Sequence, residues 1–186
     1  MPPIRKFCKE DIINTAYEIV KSEGLSSLNA RRIAKELGCS IQPIFHNFST
    51  MNELNKEVYN KIYNTYREYM DGAIDCDKPY KAMGLAYIKF ASDYPEFFKI
   101  IFMQQTNLNA EKFVMADTVS DDAIKVGMLL SGLSYEEQKQ LHIKIWIFTH
   151  GLACLVATKT ISISTNEIDK LLENTVIEII KGYKSQ

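Results

Sequence analysis

Apolar residues recur at i, i+3, i+4 and i+7 along almost the whole chain, while β-branched alternation is confined to one short run, Lys159 to Thr165. A chain patterned in this way buries its apolar surface by packing helix on helix, which predicts an all-α fold of about nine helices. Capping signals divide it. The first helix is expected over 9–23, with Ile12, Ile13, Ala16, Ile19 and Val20 inward and Gly24 as its stop. The second covers 29–37 and ends at Gly38, the third covers 41–47, and the fourth runs from the capping box Thr50-x-x-Glu53 to about Asp71. Asp77 and Pro79 open a fifth helix that ends near Asp93, and Pro95 opens a short sixth. A seventh is expected over 110–131, closed by Gly132. Ser134-x-x-Glu137 opens the eighth, which reaches about Thr158, and Ser164-x-x-Glu167 opens the ninth, which reaches about Gly182.

Composition narrows the function classes. At 186 residues and 46% hydrophobic content the chain has ample material for a core. Its longest apolar runs, IWIF and GLACLVA, are too short to span a bilayer, and the start MPPIRKFCKED lacks the apolar core of a signal peptide, so a soluble, cytoplasmic protein without a membrane partner is expected. Cysteines at 8, 39, 76 and 154 form no CxxC pair and no His/Cys cluster, which predicts reduced thiols, no metal site and no cofactor. No phosphate-cradling Gly loop, nucleophile elbow or paired acidic motif is present, so an all-helical enzyme is the remote alternative. Net charge is −1, yet residues 1–56 hold 8 Lys/Arg against 6 Asp/Glu, which permits a DNA-facing N-terminal end.

The stretch NARRIAKELGCSIQPIFHNF, Asn29 to Phe48, carries the sharpest local signal. Ser40 is a good N-cap, which places Ile41, Gln42 and Pro43 in a first helical turn, where backbone N–H groups lack intrahelical acceptors and proline loses nothing. Ile44 and Phe48 then face the core and the other side chains of this short helix face outward. A helix ending at Gly38, a short turn and a second short helix with outward polar residues form a helix-turn-helix arrangement, which offers its second helix to the major groove; an ordinary αα-corner is the alternative.

The residues from Ile12 to Leu54 resemble the DNA-binding domain of the TetR/AcrR family of transcriptional regulators. The resemblance rests on Ala16 and Gly24, on RRIAKELG as R-x-I-A-x-x-x-G, on the short helix with IFHNF, and on MNEL at the start of the fourth helix. IWIFTHG, with Trp146, His150 and Gly151, is similar to the C-terminal part of one subgroup. The resemblance implies an N-terminal three-helix DNA-binding domain over 1–50 and a ligand-binding and dimerisation domain over 51–186, with the seam in the fourth helix at about 50–71. It implies phosphate contacts from Asn29, with Arg31 and Arg32 on the adjoining face, and base contacts from Ile41, Gln42 and Pro43 beside the cap Ser40. Gln42 suits adenine, because its amide can bond bidentately, while Ile41 and Pro43 suit a thymine methyl. Phe45 and Asn47 stand where the family often has Tyr and His on phosphates, Met51 stands where many relatives have Lys, and His46 is a further contact candidate.

The resemblance also implies a pseudo-palindromic operator in double-stranded DNA, a homodimer through the eighth and ninth helices, and an inducer among helices four to seven. Tyr63, Tyr66, Met70, Tyr87, Phe102, Trp146 and His150 are the candidate ligand residues, in a region whose few charges fit a small, apolar or weakly polar molecule. The expected function is thus a ligand-responsive repressor. A helix-turn-helix regulator with a protein effector, or with none, is the alternative.

Overall fold

The computed structural model of the chain describes residues 7–74 and 78–184. Among the described residues every regular element is helical: α1 Lys9–Glu23, a 3₁₀ turn Leu25–Ser27, α2 Ala30–Leu37, α3 Gln42–Asn47, α4 Met51–Ile74, α5 Pro79–Asp93, α6 Pro95–Phe102, α7 Ala110–Met115, α8 Thr118–Ser131, α9 Tyr135–Ala157 and α10 Thr165–Lys184. Cys76 and the expected helix start at Asp77 lie outside the described residues. The chain divides into two compact units, Met1–Thr65 with Glu96–Met103, and Tyr66–Pro95 with Gln104–Gln186. The division falls within α4.

In the first unit, α1 buries Ile12, Ala16, Tyr17, Ile19 and Val20 and stops at Gly24, whose φ of 80° few L-residues adopt. A Cβ on Gly24 would also lie 2.8 Å from the Glu96 carboxylate. Asn29 caps α2 by accepting the Arg32 N–H at 2.9 Å. Gly38 ends α2 in the left-handed region, and the Cys39 N–H returns to the Ala34 carbonyl at 3.0 Å, a closure that turns the chain sharply into α3. Ile33, Ile44, Phe48, Leu54, Val58, Ile62, Phe97 and Phe98 complete the core, each no more than 1% exposed. The Tyr17 ring sits 4.7 Å from that of Phe97, and its hydroxyl bonds that of Thr65 at 2.9 Å.

The second unit is built around α9, which packs on α5, α8 and α10, while α10 also packs on α5. Reciprocal bonds between Ser134 and Glu137, and between Ser164 and Glu167, start α9 and α10 where the sequence places their caps. One helix of the second unit, α9, is long and apolar enough to cross a membrane by length and composition, yet it buries Gln138, His142 and Thr149 against its neighbours. The expected seventh helix is a correction: it is two helices, α7 and α8, making ten α-helices among the described residues. The Asp117 side chain accepts the Val119 N–H at 3.2 Å, so it caps a new helix instead of continuing the old one.

Two glycines permit close approach. A Cβ at Gly84 on α5 would come within 3.1 Å of Leu172 on α10, and one at Gly127 on α8 would come within 2.3 Å of the Gln138 amide and 2.6 Å of the Tyr80 hydroxyl. Gly127→Ala is therefore expected to destabilise the protein by about 1–3 kcal/mol through overpacking, despite alanine's better helix propensity. Gly151→Ala, which meets open space, is expected to leave the monomer's stability unchanged or raised. Chemical denaturation of the two variants beside the wild type, at concentrations at which the chain is monomeric, checks both signs.

Candidate functional site

In the first unit, α3 presents one face outward. Ile41 and Phe45 are 43% and 46% exposed, and Gln42 and His46 stand exposed beside them. Ile44 and Phe48 anchor the opposite face in the core. The helix begins one residue later than the cap at Ser40 implies, at Gln42, but the Ser40 hydroxyl still accepts the Gln42 N–H at 3.4 Å and Pro43 lies in the first turn. This face thus combines two apolar side chains with two hydrogen-bonding ones.

The flanking residues differ in what they have free. Arg31 is exposed and makes no ion pair among the described residues. Arg32, by contrast, is clamped: its guanidinium reaches Glu23 at 2.6 Å and Glu36 at 2.7 Å, and these carboxylates push its pKa up from an already high value. Its charge is locally neutralised, so a phosphate would have to replace a carboxylate to use it. Asn47 turns inward, donating its amide to the carbonyls of Pro43 at 2.8 Å and Phe7 at 3.2 Å. Met51 opens α4, where Glu53 accepts the Ser49 N–H at 2.8 Å and pairs with Lys9 at 3.3 Å.

The second unit holds a cavity of about 40 Å³ among α4, α5, α8 and α9. Four of the ligand candidates, Tyr66, Met70, Tyr87 and Trp146, line it, together with Tyr80, Met83, Asp117, Ser120, His142 and Thr149, among others. Three candidates lie elsewhere. Tyr63 stacks on Tyr59 with ring centroids 6.4 Å apart, and Phe102 lies beside Phe98 at 5.3 Å; both belong to the first unit. His150 does not line the cavity but backs its wall: Nδ1 lies 2.9 Å from the Tyr87 hydroxyl, Nε2 lies 3.3 Å from Cys154 Sγ, and Trp146 stacks on its ring at 4.5 Å. Burial holds the Tyr87 hydroxyl protonated, and the direction of its bond to Nδ1 follows the His150 tautomer.

Most polar groups around the cavity are satisfied. The Tyr66 hydroxyl donates to the Asp117 carboxylate, the Gln138 amide donates to the Tyr80 hydroxyl, and the Ser120 hydroxyl donates to the Val114 carbonyl at 2.8 Å. His142 is the exception: 6% exposed, it has no hydrogen-bond partner on either ring nitrogen among the described residues. In the sequence His142 shares a helical face with Trp146 and His150, four and eight residues on, but its orphan nitrogens depend on what α5 and α8 bring near, which spacing along one helix does not encode.

Burial pushes the His142 imidazole from 6.5 down to about 4. The unfolded chain thus binds a proton below pH 6.5 that the folded chain refuses until about pH 4, so stability present above 6.5 drains away across that interval. Relative to His142→Phe, the wild type is expected to lose on the order of 3 kcal/mol between pH 7 and pH 4. Urea titrations of both proteins across this range measure the difference.

No protein-family model matches the sequence, and no curated protein matches it. Solved structures do match in fold. A TetR-like transcriptional regulator from Rhodococcus sp. RHA1 superposes with a TM-score of 0.68 at 16% identity, covering 97% of this chain and 99% of that one. A protein of unknown function from Rhodococcus sp. RHA1 gives 0.72 at 14% identity, with 98% of each chain covered. The Streptomyces coelicolor TetR family protein ActR, in complex with (S)-DNPA, gives 0.50 at 14% identity over 98% of this chain and 99% of that one.

Proposed function

We propose that this chain is a DNA-binding transcriptional regulator of the TetR/AcrR type, a cytoplasmic homodimeric repressor that a small ligand releases from a pseudo-palindromic operator. The observation that carries the reading is the outward face of α3, where Ile41, Gln42, Phe45 and His46 stand exposed on a helix anchored by Ile44 and Phe48. A hydrogen-bonding amide between apolar side chains matches the major-groove edge of an A·T pair, with its donor and acceptor beside a methyl group. The full-length fold likeness to TetR-like regulators supports the same reading. In its domain terms, residues 1–50 bind DNA and residues 51–186 hold the ligand and the dimer contact.

Dimerisation is supported by what one copy leaves uncovered. On α9, Ile147 and Leu155 are 51% and 40% exposed on either side of the exposed Gly151, and on α10 Leu171 is 43% exposed. A bare glycine between apolar side chains lets a partner helix approach closely. Small-ligand control is supported by the cavity and by ActR, a structural neighbour that holds a small molecule. Because α4 belongs to both units, a ligand that shifts Tyr66 or Met70 acts on the helix that also carries Leu54 and Val58. A second reading, a regulator with a protein effector or none, draws support from the cavity's present size, below the roughly 300 Å³ of ordinary ligand pockets.

Gln42→Ala is expected to relax preference at one base position, costing about 1–3 kcal/mol of discrimination, whereas Arg31→Ala weakens all sequences evenly and lowers the salt slope by about 1. Anisotropy titrations on an operator and its single-base variants separate the two; identical profiles would sink the assignment of α3 as reader. The wild type is expected to be a dimer by light scattering at micromolar concentration, and Leu155→Asp a monomer of unchanged helicity. A monomeric wild type overturns the interface.

A further inference from the structure

Tyr80 separates two spaces in the second unit. On one side is the 40 Å³ cavity; on the other is an open groove of about 390 Å³ bordered by Lys81, Leu130, Leu141, Val176, Ile177 and Ile180. The Tyr80 ring stands 6.0 Å from that of His142. A latch holds it there: Gln138 donates to the Tyr80 hydroxyl, and the Gln138 carbonyl accepts the Ser131 hydroxyl at 2.8 Å. Gly127 leaves room for this latch, since a Cβ there would overlap both partners. Rotation of Tyr80 would join cavity and groove into a chamber of ligand size.

The chemistry inside selects the occupant. Two buried, unpartnered ring nitrogens, one a donor and one an acceptor in a neutral imidazole, cost free energy until something bonds them. Among the described residues no Lys or Arg lines the cavity, and the Asp117 carboxylate would repel an anion. Asp117 keeps its charge, but both of its oxygens already accept hydrogen bonds, from Tyr66 and from Val119, so the polar group here still lacking a partner among the described residues is His142. In the groove, Lys81 is tied to Asp169 at 2.9 Å and Glu173 at 3.1 Å. Its charge is not on offer.

We propose that Tyr80 is the gate of this site and that the ligand behind it is a neutral molecule with an apolar body and a hydroxyl or carboxamide head that bonds His142. The inference rests on the ligand-binding reading above. It names the head group that this reading leaves open, and it assigns the groove as the route of entry.

Trp146, the only tryptophan in the sequence, lines the cavity and reports occupancy by fluorescence. The full chain is titrated with 1-octanol, octanamide, 1-fluorooctane, octanoate and octylammonium, which share one chain length and differ at the head. The alcohol and the amide are expected to bind saturably and at least about tenfold more tightly than the other three. His142→Phe removes that preference. Tyr80→Phe, which deletes only the latch hydroxyl, speeds association and release severalfold in stopped-flow mixing.

Equal binding of all five probes, a preference for octanoate or octylammonium, or saturation of none of them overturns the proposal. Should His142→Phe fail to fold, the wild-type series decides, and His142→Gln, which keeps a donor and an acceptor, is expected to retain the preference. Operator binding measured on the same preparation separates the outcomes. DNA binding without head-group selectivity defeats this proposal alone, and loss of DNA binding defeats the regulator reading.

Discussion

One carboxylate, that of Asp117, organises the second unit through two hydrogen bonds. By accepting the Val119 N–H it ends the helical run begun at Ala110 and starts α8, and by accepting the Tyr66 hydroxyl it ties the start of α8 to α4. A helix that ran straight through this point would carry Val119 and Ser120 elsewhere, and the wall of the cavity would not form. The Asp117 charge stands close enough to the Tyr87 phenol to oppose its ionisation, which burial opposes more strongly. Both effects keep Tyr87 protonated and able to donate to His150. Asp117 thus bonds Tyr66, whose ring meets that of Tyr87 edge to face at 6.2 Å, and Tyr87 in turn bonds His150 on α9.

The first unit depends on a backbone constraint instead. Gly38 in the left-handed region and the Cys39 return to Ala34 fix the turn between α2 and α3, and Pro43 in the first turn of α3 costs no hydrogen bond. The short helix is too small to be stable by itself and is held by Ile44 and Phe48. Its outward side chains are thus free of structural duty, which is the condition a reading surface needs. Arg32 is the counterexample nearby, since its two carboxylate partners give it a structural task.

What could be read from the sequence were features that local chemistry decides. Gly24, Gly38, and the Ser134 and Ser164 capping boxes each act within one turn, so α1, α2, α9 and α10 begin or end within a residue or two of where those signals lie. Apolar spacing continues across the break at Asp117 and masks it, although Asp is a favoured N-cap and that signal is local; the bond from Tyr66 is the part that spacing does not show. Tyr63 and Tyr66 share one helical stripe, yet Tyr66 is fully buried while Tyr63 is half-buried; depth, not period, separates them. Phe102 groups with the first unit because α6 packs there through Phe97 and Phe98, a pairing that no spacing along α6 predicts. The clamping of Arg32 by Glu23 likewise depends on the turn after Gly24 bringing a distant carboxylate back.

On the proposed function, α3 reads DNA as one of a symmetric pair. Selection of binding sites from a random duplex library by the purified full chain, followed by sequencing, tests it most directly. Enrichment is expected of a pseudo-palindrome whose half-sites lie an integral number of helical turns, each about 10–10.5 base pairs, apart, and it is lost when Gln42 and Arg31 are both replaced by alanine. Enrichment of no motif at low salt, or of a motif indifferent to those two replacements, would contradict it.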